Sequence, residues 1–284
     1  MGVRSETIDT DAVLFHGDRY DSTSLALFDG DGALLIEGLG SVADAEALRA
    51  ELAARGKRVE LLVSTHYFSD HLAAWNLFPK AEVLAHENAL ATFWSEEFRT
   101  AEEVGHFRQP TILLSGRLGL SWGRFQVDIF ENPGHTAGTL NVEIPELDLL
   151  HVGDTAVGRL AYVQYSAPEA IDRALARALA RGRGRVLRSH GLLTSSETLR
   201  SARGYLANLR LRVGRGSQPL DQECAVAVEE GQRGRVVPVS VKEDRVRVDG
   251  LRPHRHLPPP WRKASRRPGI YKANCCHEYY AIHS

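Results

Sequence analysis

Cysteine is scarce in this chain of 284 residues, and its three cysteines lie late in the sequence. Cys224 stands alone, and Cys275 and Cys276 are adjacent. This number and placement predict neither a disulfide framework nor a zinc site built from cysteine. Such cysteine usage is typical of a reducing compartment, so we expect a cytoplasmic protein.

Long apolar runs are missing as well. No stretch approaches the roughly 20 apolar residues that a helix needs to span a bilayer. The first residues, MGVRSETIDTDAVLF, include acidic side chains where a secretory signal would have its apolar segment. We therefore expect neither a membrane partner nor export.

A strong charge of either sign is also lacking, because the formal net charge is −1. Nothing in the overall charge favours nucleic acid as a partner, so we expect a small-molecule substrate instead. Hydrophobic residues make up 43% of the chain and charged residues 25%, which is an ordinary globular composition. One α/β domain of roughly 200–250 residues fits this composition.

Strand and helix patterns alternate over residues 1–215, which we predict to form that domain. Apolar runs on either side of the Asp-Gly pairs at 29–32 predict a hairpin. Helical spacing begins after Ser41, which we pair with Asp44 as a capping box. The strand VELLVSTH then leads to His66, and we expect a helix beginning near His71. Further strands and helices follow as far as residue 212.

The sequence changes character after this domain. Alternating valines over 216–250 predict a small β appendage. Residues 251–284 combine proline, arginine and histidine without periodicity, so we expect a disordered or extended tail.

Histidines and aspartates follow the predicted strands at several turns. They are His66, Asp70, His71, His135, Asp154 and His190. Strand ends on one rim of a sheet can converge on one point, and imidazole and carboxylate groups are ligands for borderline and harder metal ions. The pattern therefore predicts a metal site with nearly enough ligands for two ions.

Four motifs carry a family resemblance: STHYFSDH, NPGHTAGTL, HVGDT and RSHG. In this order they resemble the motifs of the metallo-β-lactamase superfamily, and the resemblance covers roughly residues 10–212. It is closest to the glyoxalase II and lactonase side of that superfamily. The resemblance implies an α/β fold, the αββα sandwich, with the metal site at one edge of its two sheets.

The first motif departs from the family pattern His-x-His-x-Asp-His, because Phe68 stands where the second histidine is expected. The resemblance assigns His66, His135 and Asp154 to a first metal position, which has lost the ligand at 68. It assigns Asp70, His71, His190 and a bridging Asp154 to a second position, which is complete. We expect the second position to dominate and Zn²⁺ to be the ion, with one or two ions bound and with iron or manganese as alternatives.

The resemblance implies hydrolysis of an ester, thioester, lactone or related acyl bond by a metal-bound hydroxide. Asp70 and Asp154 would lie beside the hydroxide, with Asp70 orienting it, and His66 or His135 would transfer protons. Two alternatives remain open. Phe68 is also consistent with a non-catalytic or regulatory member of the family, and an iron-dependent redox enzyme can share this fold.

Single motifs also permit structural interpretations. Ser69 or Asp70 can be the N-cap of a helix, with His66 at the surface. Tyr162 and Tyr165, after the third motif, fit core packing as well as substrate contact. The oligomeric state stays open, although homodimers are common in the resembled family.

Overall fold

The computed structural model describes residues 2–96, 99–158, 160–161, 163 and 165–214. The predicted appendage and tail, residues 216–284, lie outside the described residues, as does Tyr162. Within the described ranges, no helix combines the length and apolar character that a membrane span requires.

The first half of the described chain forms a mixed sheet. Its strands are β1 (Arg4–Asp9), β2 (Ala12–His16), β3 (Thr23–Asp29), β4 (Gly32–Ile36), β5 (Arg58–Val63), β6 (Glu82–His86) and β7 (Ile112–Leu114), in that spatial order. Neighbours pair antiparallel from β1 to β4 and parallel from β4 to β7. The hairpin predicted at 29–32 joins β3 to β4, with Asp29 paired to Gly32.

A second sheet follows in the chain. Its strands are β8 (Arg117–Trp122), β9 (Phe125–Glu131), β10 (Leu140–Ile144), β11 (Leu149–His151), β12 (Arg185–Leu187) and β13 (Thr194–Ser195). They also lie side by side in chain order. Only β11 and β12 pair parallel among these described strands. The connection between those two strands contains a helix.

Helices cover the outer faces of both sheets. They are α1 (Val42–Ala54), α2 (Ala89–Ser95), α3 (Ala101–Val104), α4 (Pro168–Ala180) and α5 (Glu197–Gly214). Alternate strand residues face opposite sides, so Leu14 packs between the sheets whereas Val13 packs toward α1 and α2. Residues of α4 and α5 form a third cluster on the second sheet. The protein therefore has an α/β fold, an αββα sandwich.

The helix expected near His71 is absent from the described residues. Two short 3-10 turns, Ser69–His71 and Trp75–Leu77, take its place. The backbone of this segment bonds to Gly38 instead of continuing a helix: Gly38 N–H donates to His71 O at 2.7 Å, and Ala74 N–H donates to Gly38 O at 2.9 Å. Tertiary backbone hydrogen bonds thus replace the helical ones.

The cap of α1 also differs from the prediction in one respect. Ser41 accepts the N–H of Asp44 as expected. The Asp44 carboxylate, however, accepts the backbone N–H groups of Asp18 (3.2 Å) and Arg19 (2.9 Å), and no bond from the N–H of Ser41 to it is present in this described segment. Asp44 therefore ties α1 to the turn between β2 and β3.

Candidate metal centre

The strands bring all of the predicted ligand residues to one rim of the sandwich. His66, Asp70 and His71 follow β5 of the first sheet. The residues from the second sheet are His135 after β9, Asp154 after β11 and His190 after β12. Possible ligand atoms of His66, His135 and Asp154 lie within 4.8 Å of one another, and so do those of Asp70, His71 and His190. We call these groups the first and second positions.

Asp154 lies between the two positions. Its Oδ2 is 3.2 Å from His190 Nε2, 3.7 Å from His71 Nε2 and 3.9 Å from His66 Nε2. Asp70 spans the second position, with Oδ1 3.2 Å from His71 Nε2 and Oδ2 3.5 Å from His190 Nε2. A carboxylate between two groups of imidazoles has the placement that a bridging ligand needs.

Among the buried polar atoms of this cluster that have no hydrogen-bond partner in the described residues are His66 Nε2 and Asp154 Oδ1. Buried polar atoms without partners are costly, and an ion at the site would satisfy both. Nitrogen and carboxylate oxygen are donors that Zn²⁺, iron and manganese accept. The residues present therefore fit a metal ion.

The charges of the cluster favour a cation. Burial would raise the pKa of Asp154, but His190 and His71 outweigh that effect and hold the pKa well below its usual range. Burial would lower the pKa of His71, whereas Asp70, Asp154 and Glu37 together raise it to about 10. Burial lowers the pKa of His135 to about 4. His135 is therefore neutral at pH 7 and keeps a lone pair for a metal.

Contacts outside the cluster fix the orientation of its histidines. His66 Nδ1 lies 3.1 Å from Thr65 Oγ1, and His71 Nδ1 lies 3.3 Å from Glu37 Oε2. The carbonyl of Tyr20 accepts a hydrogen bond from His190 Nδ1 at 2.8 Å. Each imidazole therefore turns its Nε2 toward the cluster, an arrangement that is usual for histidine ligands.

Glu37 is a site residue that the sequence analysis missed. Its side chain is fully buried, accepts the N–H of Thr65 at 2.6 Å and groups with His66 and His71. Burial raises its pKa to about 7, although His71 and Thr65 lower it. The available signal was a carboxylate directly after the buried apolar strand ALLI, since an acidic residue there needs a partner.

The ring of Phe68 packs beside the first position. Its ring centroid lies 5.2 Å from that of His66 and 5.3 Å from that of His135. Tyr165 stacks edge-on against it at 4.7 Å. An apolar aromatic pair thus stands where the resemblance calls for a ligand, and Tyr165 is part of the surroundings of the site.

Exposure differs between the two positions. The side chains of Asp70 and His190 are each 15% exposed, whereas that of His66 is fully buried. A small molecule would therefore reach the cluster through the second position. His151 is buried nearby with Nδ1 accepting the N–H of Gly153, and it belongs to neither position.

Solved structures with a similar fold include metallo-β-lactamases. One from Pontibacter korlensis has a TM-score of 0.62 and 19% identity, and the match covers 72% of this chain and 99% of that one. DIM-1 metallo-beta-lactamase has a TM-score of 0.61 and 18% identity over 74% of this chain and 99% of its own. TMB-1 has a TM-score of 0.60 and 18% identity over 74% of this chain and 99% of its own. At such identities the likeness shows the fold.

A comparison with curated proteins gives no significant match. The family model described as "Metallo-beta-lactamase superfamily" matches residues 17–204, which is more than half of the chain and includes every predicted ligand. Together with the fold, this match shows that the chain belongs to the metallo-β-lactamase superfamily.

Proposed function

We propose that this protein is a metal-dependent hydrolase of an ester, thioester, lactone or related acyl bond, with one dominant metal position. The observation that carries the proposal is the second position, where two imidazoles and two carboxylates converge at a partly exposed point of the rim. Superfamily membership supports hydrolysis as the reaction class.

The second position would hold the ion through His71, His190, Asp70 and Asp154. We propose Zn²⁺, because imidazole nitrogen and carboxylate oxygen are donors found in its catalytic sites. A bound zinc ion supplies Lewis acidity, which lowers the pKa of water toward about 7 and polarises a carbonyl oxygen.

The side chains around this position would guide the attack. Asp70 faces both histidines of the second position and is partly exposed, which supports a role for its carboxylate in orienting an attacking water. His66 is neutral, because burial lowers its pKa well below the usual value. The Nε2 of His66 lies 3.9 Å from Asp154, which supports a role for His66 in proton transfer to or from the reacting group.

Phe68 gives the first position a different character. It contributes no lone pair and places an apolar ring beside His66 and His135. The three remaining donors make this the weaker position. We infer that the second position fills first.

The proposal is tested by measuring metal content and hydrolysis on the same zinc-loaded full chain. Purified protein is assayed with aryl esters, acyl thioesters, lactones and, because the structural neighbours are named metallo-β-lactamases, a β-lactam. We expect about one tightly held zinc per chain and turnover of one acyl class. Asp70→Asn keeps the side-chain shape but removes the charge, and it should lower kcat by about 10²–10⁴-fold.

Asp31→Asn is the matched control, because Asp31 is an exposed aspartate (70%) away from the rim. Its activity should equal that of the wild type. Tight zinc without turnover of any substrate would favour the non-catalytic alternative. A wild type that holds no metal after zinc or iron reconstitution would overturn the proposal.

A further inference from the structure

The turn between β2 and β3 adjoins His190 and has a strained backbone. Tyr20 and Asp21 have φ values of 62° and 51°, in the left-handed region that residues with side chains rarely adopt. Such conformations are unfavourable for residues with a Cβ and persist where surrounding contacts hold them. The contacts that hold this turn therefore determine where the carbonyl of Tyr20 points.

Backbone contacts join this turn to the segment that carries His190. Ser22 and His190 form an antiparallel bridge, and the N–H of Gly191 donates to Asp21 O at 2.8 Å. Between these contacts, the carbonyl of Tyr20 accepts the hydrogen bond from His190 Nδ1. Rotation of the peptide between Tyr20 and Asp21 would break that bond and release the ring of His190.

The side chain of Tyr20 is anchored at its far end. Its hydroxyl donates to Glu103 Oε1 at 2.6 Å and accepts a hydrogen bond from Arg19 Nη2 at 2.7 Å. Glu103 belongs to α3 and is itself held by the capping box with Thr100. Its side chain is only 7% exposed, so the bond between Tyr20 and Glu103 is largely shielded from water.

The same short helix supports the other histidine of the second position. His106, two residues after the end of α3, lies with Nδ1 2.7 Å from the carbonyl of Ser69, next to Asp70 and His71. Residues 100–106 thus contact both the turn that orients His190 and the turn that carries Asp70 and His71.

We propose that Tyr20 and Glu103 are positioning residues for His190, acting through the strained carbonyl of Tyr20 to set the affinity and geometry of the second metal position. The inference rests on the proposed function, since it assumes that His190 is a metal ligand. Neither residue touches the ion or the substrate. Their effect would pass through the orientation of one imidazole.

The test uses Co²⁺ as the probe on the full chain. Affinity is measured by competition with a chromophoric chelator, and the cobalt absorption spectrum reports the ligand geometry. Tyr20→Phe keeps the ring but removes its hydroxyl, and Glu103→Ala removes the acceptor. Each should weaken the tight cobalt site about tenfold and change its spectrum. The double variant should lose little more cobalt affinity than either single variant, because both substitutions break the same contact.

Two controls separate positioning from a general loss of structure. Glu103→Gln can keep the contact with Tyr20, because its Oε1 accepts the N–H of Thr100 and its NH₂ group donates to the hydroxyl oxygen of Tyr20, so it should retain wild-type affinity and spectrum. Thr100→Ala removes the side-chain bond to the backbone N–H of Glu103 but keeps the backbone N–H of residue 100 that holds the Glu103 carboxylate, so it should lower the unfolding temperature and leave the cobalt spectrum unchanged. If Tyr20→Phe does not fold, the Glu103 variants decide the question.

If the wild type binds cobalt tightly but Tyr20→Phe and Glu103→Ala leave its affinity and spectrum unchanged, this inference is overturned. The proposed function is then unaffected. An equal change of spectrum in Thr100→Ala would also overturn it, because the role would then be structural. A wild type without tight cobalt would overturn the proposed function and this inference with it.

Discussion

Phe68 changes the ligand set of the site, because a phenylalanine stands where the family motif has a histidine. Its ring lies against His66 and His135, while Tyr165 covers its other side. Each neighbouring imidazole keeps a nitrogen within 4.8 Å of a carboxylate oxygen of Asp154, so the rest of the first position remains assembled.

Phe68→His is expected to raise the metal content toward about two zinc ions per chain, because it supplies a fourth donor to the first position. Elemental analysis after zinc loading checks this. Phe68→Leu is the control, since it removes the ring without adding a donor and should leave the content unchanged. An unaltered content in Phe68→His would show that residue 68 is not the missing ligand.

Glu37→Gln is expected to weaken zinc binding about 10–100-fold. An amide that still accepts the N–H of Thr65 would turn its NH₂ group toward His71 Nδ1, where two donors oppose each other. Zinc affinity by chelator competition is the measurement. Glu143→Gln is the control, because Glu143 is an equally buried carboxylate that binds Arg181 and Arg183 instead. Equal losses in both variants would refute a specific role for Glu37.

At the scale of elements, strand ends were predictable and the turns that follow them were only partly so. Apolar runs lead directly into His66 and His190, and the structure indeed ends β5 and β12 just before them. The prediction of a helix near His71 was wrong. The backbone of this segment forms hydrogen bonds with Gly38, which lies far away in the sequence. Local pattern carries no information about such tertiary bonds, and for the same reason Tyr20 escaped notice. Glu37 had a local signal, its place directly after an apolar strand, but its partners Thr65 and His71 lie far away in the sequence.

The turn that carries His135 rests directly on α4. A Cβ added at Gly134 would lie 2.4 Å from the Cβ of Ala174, so the turn approaches the helix more closely than any larger residue allows. The backbone conformation here has a negative φ. Gly134 is therefore required by close packing.

Gly134→Ala is expected to destabilise the fold by about 1–3 kcal/mol, because the turn and α4 must move apart. Urea unfolding of the full chain measures this. Gly119→Ala is the matched control: its added Cβ meets nothing within 4 Å, so stability should stay the same or rise slightly. Similar stabilities of the two variants would contradict the packing argument.

At the scale of the whole molecule, the candidate metal centre joins the two sheets. Asp70 and His71 follow a strand of the first sheet, whereas Asp154 and His190 follow strands of the second. An ion held by both pairs would act as a cross-link at one rim of the sandwich. The folded state would then bind the ion far more tightly than the unfolded chain.

Removing the metal should therefore lower the thermal stability. Free zinc at about 100 times its Kd adds about 2.7 kcal/mol to the free energy of unfolding. For a domain of this size that corresponds to about 5–10 °C in Tm. Thermal scans of the zinc-loaded protein with and without EDTA measure the shift. A His190→Ala variant should respond much less, and an unchanged Tm in a wild type shown to lose its zinc would contradict the cross-link.

The order of the proposed ligands along the chain has a consequence for biosynthesis. His190 lies on a segment that pairs with the turn after β2, near the start of the domain, so first and last parts of the fold meet at the ion. While the ribosome has released only the residues before β12, the second position lacks one imidazole. A nascent chain therefore cannot close this position, and a metal ion held there would be acquired only after translation of the domain.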